Sequence, residues 1–197
     1  MRIWFLLLYL VALPGVAMAD ASNGEFMGYQ LGGDYKRTSV TDVQTATNGN
    51  LIISAENPVK PENITDVSLI ATAETLTIGY INAASWFDTE AEAREFGKHY
   101  VELLRAKYPT WEFGRELLDA QMHIIEVNFD RPPFNLQTRI NQAMHNGESK
   151  WRLSMTLGWL YGSKEARAWR NMSLTQQLMA QEDSRKKKLE NSDARGL

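Results

Sequence analysis

WRLSMTLGWLY, residues Trp151 to Tyr161, decides the fold class. Trp151, Leu153, Met155, Leu157, Trp159 and Tyr161 take every second position. Arg152, Ser154, Thr156 and Gly158 stand between them, and only Leu160 departs. Successive side chains of a strand point to opposite faces, so this period of two places one face on a core and the other in solvent. That division suits an antiparallel sheet rather than a parallel one buried on both sides.

The same logic works outward along the chain. Val67, Leu69 and Ala71 alternate with Asp66, Ser68 and Thr72, with only Ile70 departing, and Leu76, Ile78 and Tyr80 alternate with Thr77 and Gly79, so 66–83 reads as a hairpin turning at Thr72 to Thr75. Asn48-Gly49 is a tight-turn pair, and Leu51-Ile52-Ile53 follows it as a strand. Pro58 and Pro61 break regular structure. The stretch 122–129, MHIIEVNF, is rich in β-formers and stops at Pro132-Pro133. Between the hairpin and that stretch lies a helix. Asp88 or Thr89 can cap it, with Glu92 three after Thr89 as in a capping box, and Ala93, Phe96, Tyr100, Leu103 and Leu104 fall on one face. Trp86-Phe87 is placed to staple its start, and Pro109 ends it after Tyr108. Ser163 caps a second helix, about 164–181, whose apolar face is thin: Ala166, Trp169, Leu174 and Leu178. Strands segregated from helices give an α+β fold: a single domain with an antiparallel sheet, an amphipathic helix packed on one face, and a C-terminal helix.

The N-terminus reads differently. Arg2 precedes the apolar run Ile3 to Leu13, Pro14-Gly15 breaks it, and Ala17-Met18-Ala19 supplies small residues two apart. Charge, apolar run and small-residue exit form a secretory signal peptide. As a helix the run reaches only about 17 Å, short of the ~30 Å a bilayer core needs. Cleavage is expected before Asp20, giving a signal peptide over 1–19, an α+β domain over 20–182 and a charged, disordered tail over 183–197. The protein is then periplasmic or extracellular. The chain has no cysteine, so an exported form carries neither disulfide nor lipidated cysteine. That composition suits a bacterial periplasm. With 21 basic and 24 acidic residues it lacks the basic excess of a nucleic-acid binder. No later apolar run is long enough to span a membrane.

No catalytic motif stands out. His99, His123 and His145 lack metal-ligand spacing, and there is no thiol nucleophile. No serine sits in Gly-x-Ser-x-Gly, and Ser184 and Lys187 have Ser-x-x-Lys spacing only within the charged tail. Glu90, Glu92 and Glu95 crowd a helix start, where carboxylates complement the helix dipole. Glu126 lies among β-formers, where the wet face is its ordinary place. No cofactor, metal or catalytic residue is assigned. Two places read as partner contacts. Asp130-Arg131-Pro132-Pro133-Phe134 is a rigid turn carrying Arg131 and Phe134, unless Phe134 tucks into the core. Trp111, in a loop after Pro109, is the tryptophan expected to be partly exposed. Arg185-Lys186-Lys187-Lys188 could touch an anionic surface, though Glu182, Asp183, Glu190 and Asp193 flank it.

Phe26-Met27-Gly28-Tyr29-Gln30-Leu31-Gly32, the strand end Ile78 to Ile81, and the helix from Phe87-Asp88-Thr89-Glu90-Ala91 to Lys107-Tyr108 together resemble small exported bacterial proteins. Those pair a Phe-x-Gly-x-x-Leu-Gly strand with a sheet and a helix ending near Lys-Tyr-Gly. The likeness covers residues 26–108, and Pro109 stands where that pattern has glycine. It implies an α+β fold and export, and brings no catalytic residues.

The function expected from these readings is that of a non-enzymatic binding or inhibitor/immunity-type module whose partner is another periplasmic or extracellular protein. The alternatives are an accessory envelope protein held peripherally at a membrane, or a carboxylate-dependent hydrolase of envelope polymers.

Overall fold

A computed structural model describes residues 24–35, 40–46, 48–58, 63–114, 117–119 and 124–193. The signal segment with its cleavage point, and His123, lie outside the described residues. In chain order the elements are β1 (Glu25–Phe26), β2 (Tyr29–Gln30), β3 (Val40–Thr45), β4 (Leu51–Ala55), β5 (Asp66–Ala71), β6 (Ile78–Phe87) and α1 (Glu90–Lys107). Then follow β7 (Glu112–Phe113), β8 (Leu117–Asp119), β9 (Ile124–Arg131), β10 (Phe134–His145), β11 (Glu148–Trp159) and α2 (Lys164–Asp193). β1 and β2 form a small hairpin. The rest make one antiparallel sheet in the order β3-β4-β5-β6-β11-β10-β9-β7, with β8 also on β9. The expected α+β domain is what the chain forms.

Trp151 to Trp159 lie in β11, at the centre of this sheet. Its Leu157 faces Ile81 of β6 and Leu136 of β10. Ile81 in turn faces Leu69, Leu69 faces Ile53, and Leu136 faces Phe129. One apolar row thus crosses six strands, and all six side chains are buried. At about 25 cal/mol per Å² of apolar surface removed from water, such a row is a main source of stability. β1 and β2 close over the same core with Phe26, Met27 and Leu31.

α1 covers the other part of this face. Thr89 accepts from the Glu92 backbone N–H, and the Glu92 carboxylate accepts from the Thr89 N–H, so the expected capping box is present. The helix ends at Lys107 with Tyr108 as its cap. Ala93, Tyr100 and Leu104 are buried as expected, whereas Leu103 lies at the margin of the apolar stripe and is exposed. Phe87 packs on Phe96 and so staples the helix start. Trp86, one residue earlier in a strand, points to the opposite face, where its ring stacks on His145.

Four expectations need correction. Tyr161 is 87% exposed because the strand ends at Trp159, before the alternation runs out. The second face of β11 is not uniformly wet: Ser154 is buried, and Gly158 lies under the ring of Tyr80. β10 was not expected as a strand, although Leu136, Thr138 and Ile140 alternate with polar residues. Asn146-Gly147, both at positive φ, turns it into β11. Finally, α2 does not stop near Gln181 but runs to Asp193, through the first part of the expected disordered tail. No glycine or proline interrupts 164–193, and Arg, Lys, Gln, Glu, Leu and Met are good helix formers. Ser163 caps this helix as expected, accepting from the Ala166 N–H.

Candidate functional site

Gly97 sets the site. It faces the sheet from the middle of α1, and a Cβ there would lie 2.8 Å from Ile140 Cδ1. The missing side chain lets the helix sit close over β10 and β11. Along the flank of that contact the helix and sheet diverge and leave a groove of about 360 Å³. This is within the ~300–1,000 Å³ range of small-ligand sites.

Ile140, Leu153, Val101 and Phe113 give the groove an apolar lining. Its rim comes from one stripe of α1: Arg94, Lys98, Glu102 and Arg105. These positions recur at three- and four-residue spacing, so they share a helix face. With Arg139 of β10, which also lines the groove, there are four cations to one carboxylate. Arg94 is tied to Glu90 one turn back in an ion pair. The Arg105 guanidinium lies 3.6 Å over the centre of the Phe113 ring. That contact fixes a planar donor array beside an apolar surface. The arrangement suits a ligand with an apolar group to fill the floor and a carboxylate or phosphate to meet the rim. Charge-assisted hydrogen bonds of that kind contribute about 1.5–3 kcal/mol each.

The residues expected to contact a partner are dispersed. Trp111 is buried, 6% exposed, and packs on the ring of Tyr108, so it offers no exposed contact. The loop after Pro109 folds back at once, with the Trp111 N–H donating to the Tyr108 carbonyl, and this carries the indole inward. Arg131 is exposed at the end of β9. Phe134 stacks on Trp159 and packs against the core, so the alternative reading holds for it. Arg131 and Phe134 are paired across the β9–β10 hairpin, while Trp111 belongs to the turn leaving α1.

The carboxylates singled out earlier have local partners. Glu90 holds Arg94, and Glu92 closes the helix cap. The side chain of Glu126 lies outside the described residues. Among the described residues, no three His, Asp or Glu side chains are grouped as metal ligands. His99 is exposed on α1. His145 belongs to a cluster on the far face of the sheet. There it stacks on Trp86, Trp86 donates its indole N–H to Asp66, and Arg152 lies over the indole. Burial pulls the Arg152 guanidinium below its ordinary value, and the nearby Asp66 carboxylate works against that.

Arg94, Lys98 and Glu102 stand where an amphipathic helix ordinarily carries its solvated charges, so no motif marks the groove. The available signal was Gly97 in the middle of that helix. A glycine costs about 1 kcal/mol there unless a close approach uses it. No protein-family model matches the chain, nor does any curated protein or solved structure.

Proposed function

We propose that the chain is an exported, non-enzymatic binding protein whose groove beside α1 receives a segment of another envelope protein. The segment would carry an apolar side chain flanked by acidic residues. The supporting observation is the groove itself: an apolar floor of Ile140, Leu153 and Phe113 under a rim where Arg94, Lys98 and Arg105 outnumber Glu102. Export rests on the signal-peptide pattern of residues 1–19. An inhibitor or immunity-type role is one form such binding takes.

Selection from a random peptide library on the mature chain tests this reading. The expected winners carry Asp or Glu beside Leu, Ile or Phe. Their affinity falls at least tenfold with Lys98→Glu or Arg105→Glu, both exposed positions, while circular dichroism of each variant matches the parent. Winners without acidic bias, or binding indifferent to both substitutions, would sink the proposal. N-terminal sequencing of the exported protein tests the first step and should begin at Asp20.

A further inference from the structure

α2 is docked through its first turns. Ala166 and Trp169 are buried, and Ser173 donates to the Asn50 side chain. Past Gln177, Leu178, Met179 and Gln181 to Lys186 are exposed. Leu174 and Leu178, 56% and 63% exposed, lie one turn apart on a side of α2 that the sheet does not cover.

The surroundings of these two leucines are one-sided in charge. Arg170 precedes Leu174 by four residues, Arg167 precedes it by seven, and Arg185 follows Leu178 by seven. At 3.6 residues per turn, all fall in one stripe with the leucines. Glu165 and Asp183 project about half a turn away from Leu174. Glu182, four after Leu178, lies as close to the leucines as Arg170 does, so the stripe holds three arginines to one carboxylate. Tyr161, 87% exposed, extends the stripe beyond the helix start, with Arg170 placed over its ring. The chain as a whole is acidic, with a net charge of −3, so this cationic strip is a local feature.

Leucines in line with arginines, along one straight edge, match the two layers of a lipid interface. The leucines would enter the headgroup and acyl boundary, while the arginines meet lipid phosphates and Tyr161 sits at headgroup level. A protein groove would need a complementary acidic trough of the same length, whereas an anionic bilayer presents its charge everywhere. We infer that the strip running from Tyr161 through Arg170, Leu174 and Leu178 to Arg185 docks the protein peripherally on an anionic membrane surface. No described helix is long and apolar enough to cross a membrane, so the attachment is lateral. This inference is independent of the groove beside α1.

Cosedimentation of the mature chain with vesicles tests it. Vesicles of phosphatidylglycerol and phosphatidylcholine should carry the protein down at low salt, and phosphatidylcholine alone should not. Raising the salt, Arg167→Glu with Arg185→Glu, or Leu174→Ser with Leu178→Ser should each weaken that binding at least tenfold. All four positions are exposed, and circular dichroism of each variant should match the parent. Glu165→Gln, on the other side of the helix, should leave binding unchanged. No binding to the anionic vesicles overturns the inference. So does binding that ignores the charge reversals. A dimer in sedimentation equilibrium that the leucine variants abolish would assign the strip to a second copy of the chain instead.

Discussion

The indole of Trp169 occupies the space where a side chain at position 79 would stand. A Cβ built on Gly79 overlaps the indole at Cε2, Cζ2 and Nε1, and the indole N–H donates to the Thr77 carbonyl at 3.2 Å. The edge of the Trp169 ring also meets Tyr80 at 5.3 Å between centroids. Thr77, Gly79 and Tyr80 therefore form the seat that holds α2 on the domain.

Gly79→Ala is expected to expel this indole and to lower stability by about 1–3 kcal/mol, as overpacking does. Trp169→Ala removes the same contact from the other side and should cost about 3 kcal/mol. Because both break one contact, the double variant should lose much less than the sum. Urea unfolding of the four proteins measures this, and additive losses would show that Gly79 and Trp169 act separately.

Thr89→Ala should cost about 1 kcal/mol, because it leaves the Glu92 backbone N–H without its acceptor. Glu92→Ala should cost a similar amount, and the two should not add. Denaturant midpoints check this; a loss below a few tenths of a kcal/mol would mean that water replaces the cap.

Gly97→Ala sets two effects of similar size against each other. Alanine gains about 1 kcal/mol of helix propensity over glycine. Against this, its Cβ meets Ile140 Cδ1, the free end of a side chain that also borders the groove. Ile140 can yield into that space, so stability should stay within about 1 kcal/mol of the parent while the groove shrinks. Peptide binding should weaken. A loss beyond about 2 kcal/mol would show that Ile140 has nowhere to move.

Two tyrosines give the protein an alkaline limit. Burial, with the Tyr35 phenol and Glu56 nearby, raises the Tyr29 pKa above its ordinary value of about 10. Burial and Glu56 raise that of Tyr35. A raised value means that the folded chain holds these protons more tightly than the unfolded one. The stabilisation is full below about pH 10 and disappears as pH rises through the folded values. Phenolate absorbance should show two tyrosines titrating late, together with the onset of unfolding. Tyr35→Phe should cost little or nothing, since its hydroxyl is buried with no hydrogen-bond partner among the described residues. If both phenols titrate as free tyrosine does, this account fails.

What could be read before folding was whatever depends on near neighbours. Thr89 with Glu92, the period of two through Leu153, Met155 and Leu157, and the turn at Asn48-Gly49 each carry their instruction within a few residues. Trp111 was misplaced because its burial follows from the chain folding back on Tyr108, a tertiary event. The end of α2 was misplaced because its apolar positions thin out while its helix propensity does not. The groove was invisible for a further reason: it is the gap between Gly97 and side chains such as Ile140 and Leu153, more than forty positions later. Charge alone marked its rim, and charge on a helix is ordinarily just solvated.

β6 and β11 lie side by side, from Tyr80 opposite Gly158 to Phe87 opposite Trp151. Between them the chain must lay down α1 and then β7 to β10. During synthesis the strand Ile78–Phe87 is therefore complete long before its inner neighbour exists. Its free edge, IGYINAASWF, is apolar and rich in β-formers, the kind of edge that recruits strands from other chains. A product that stops short of Glu148 should aggregate through this edge rather than fold into a smaller domain. The order of synthesis makes the centre of the sheet its last seam to close.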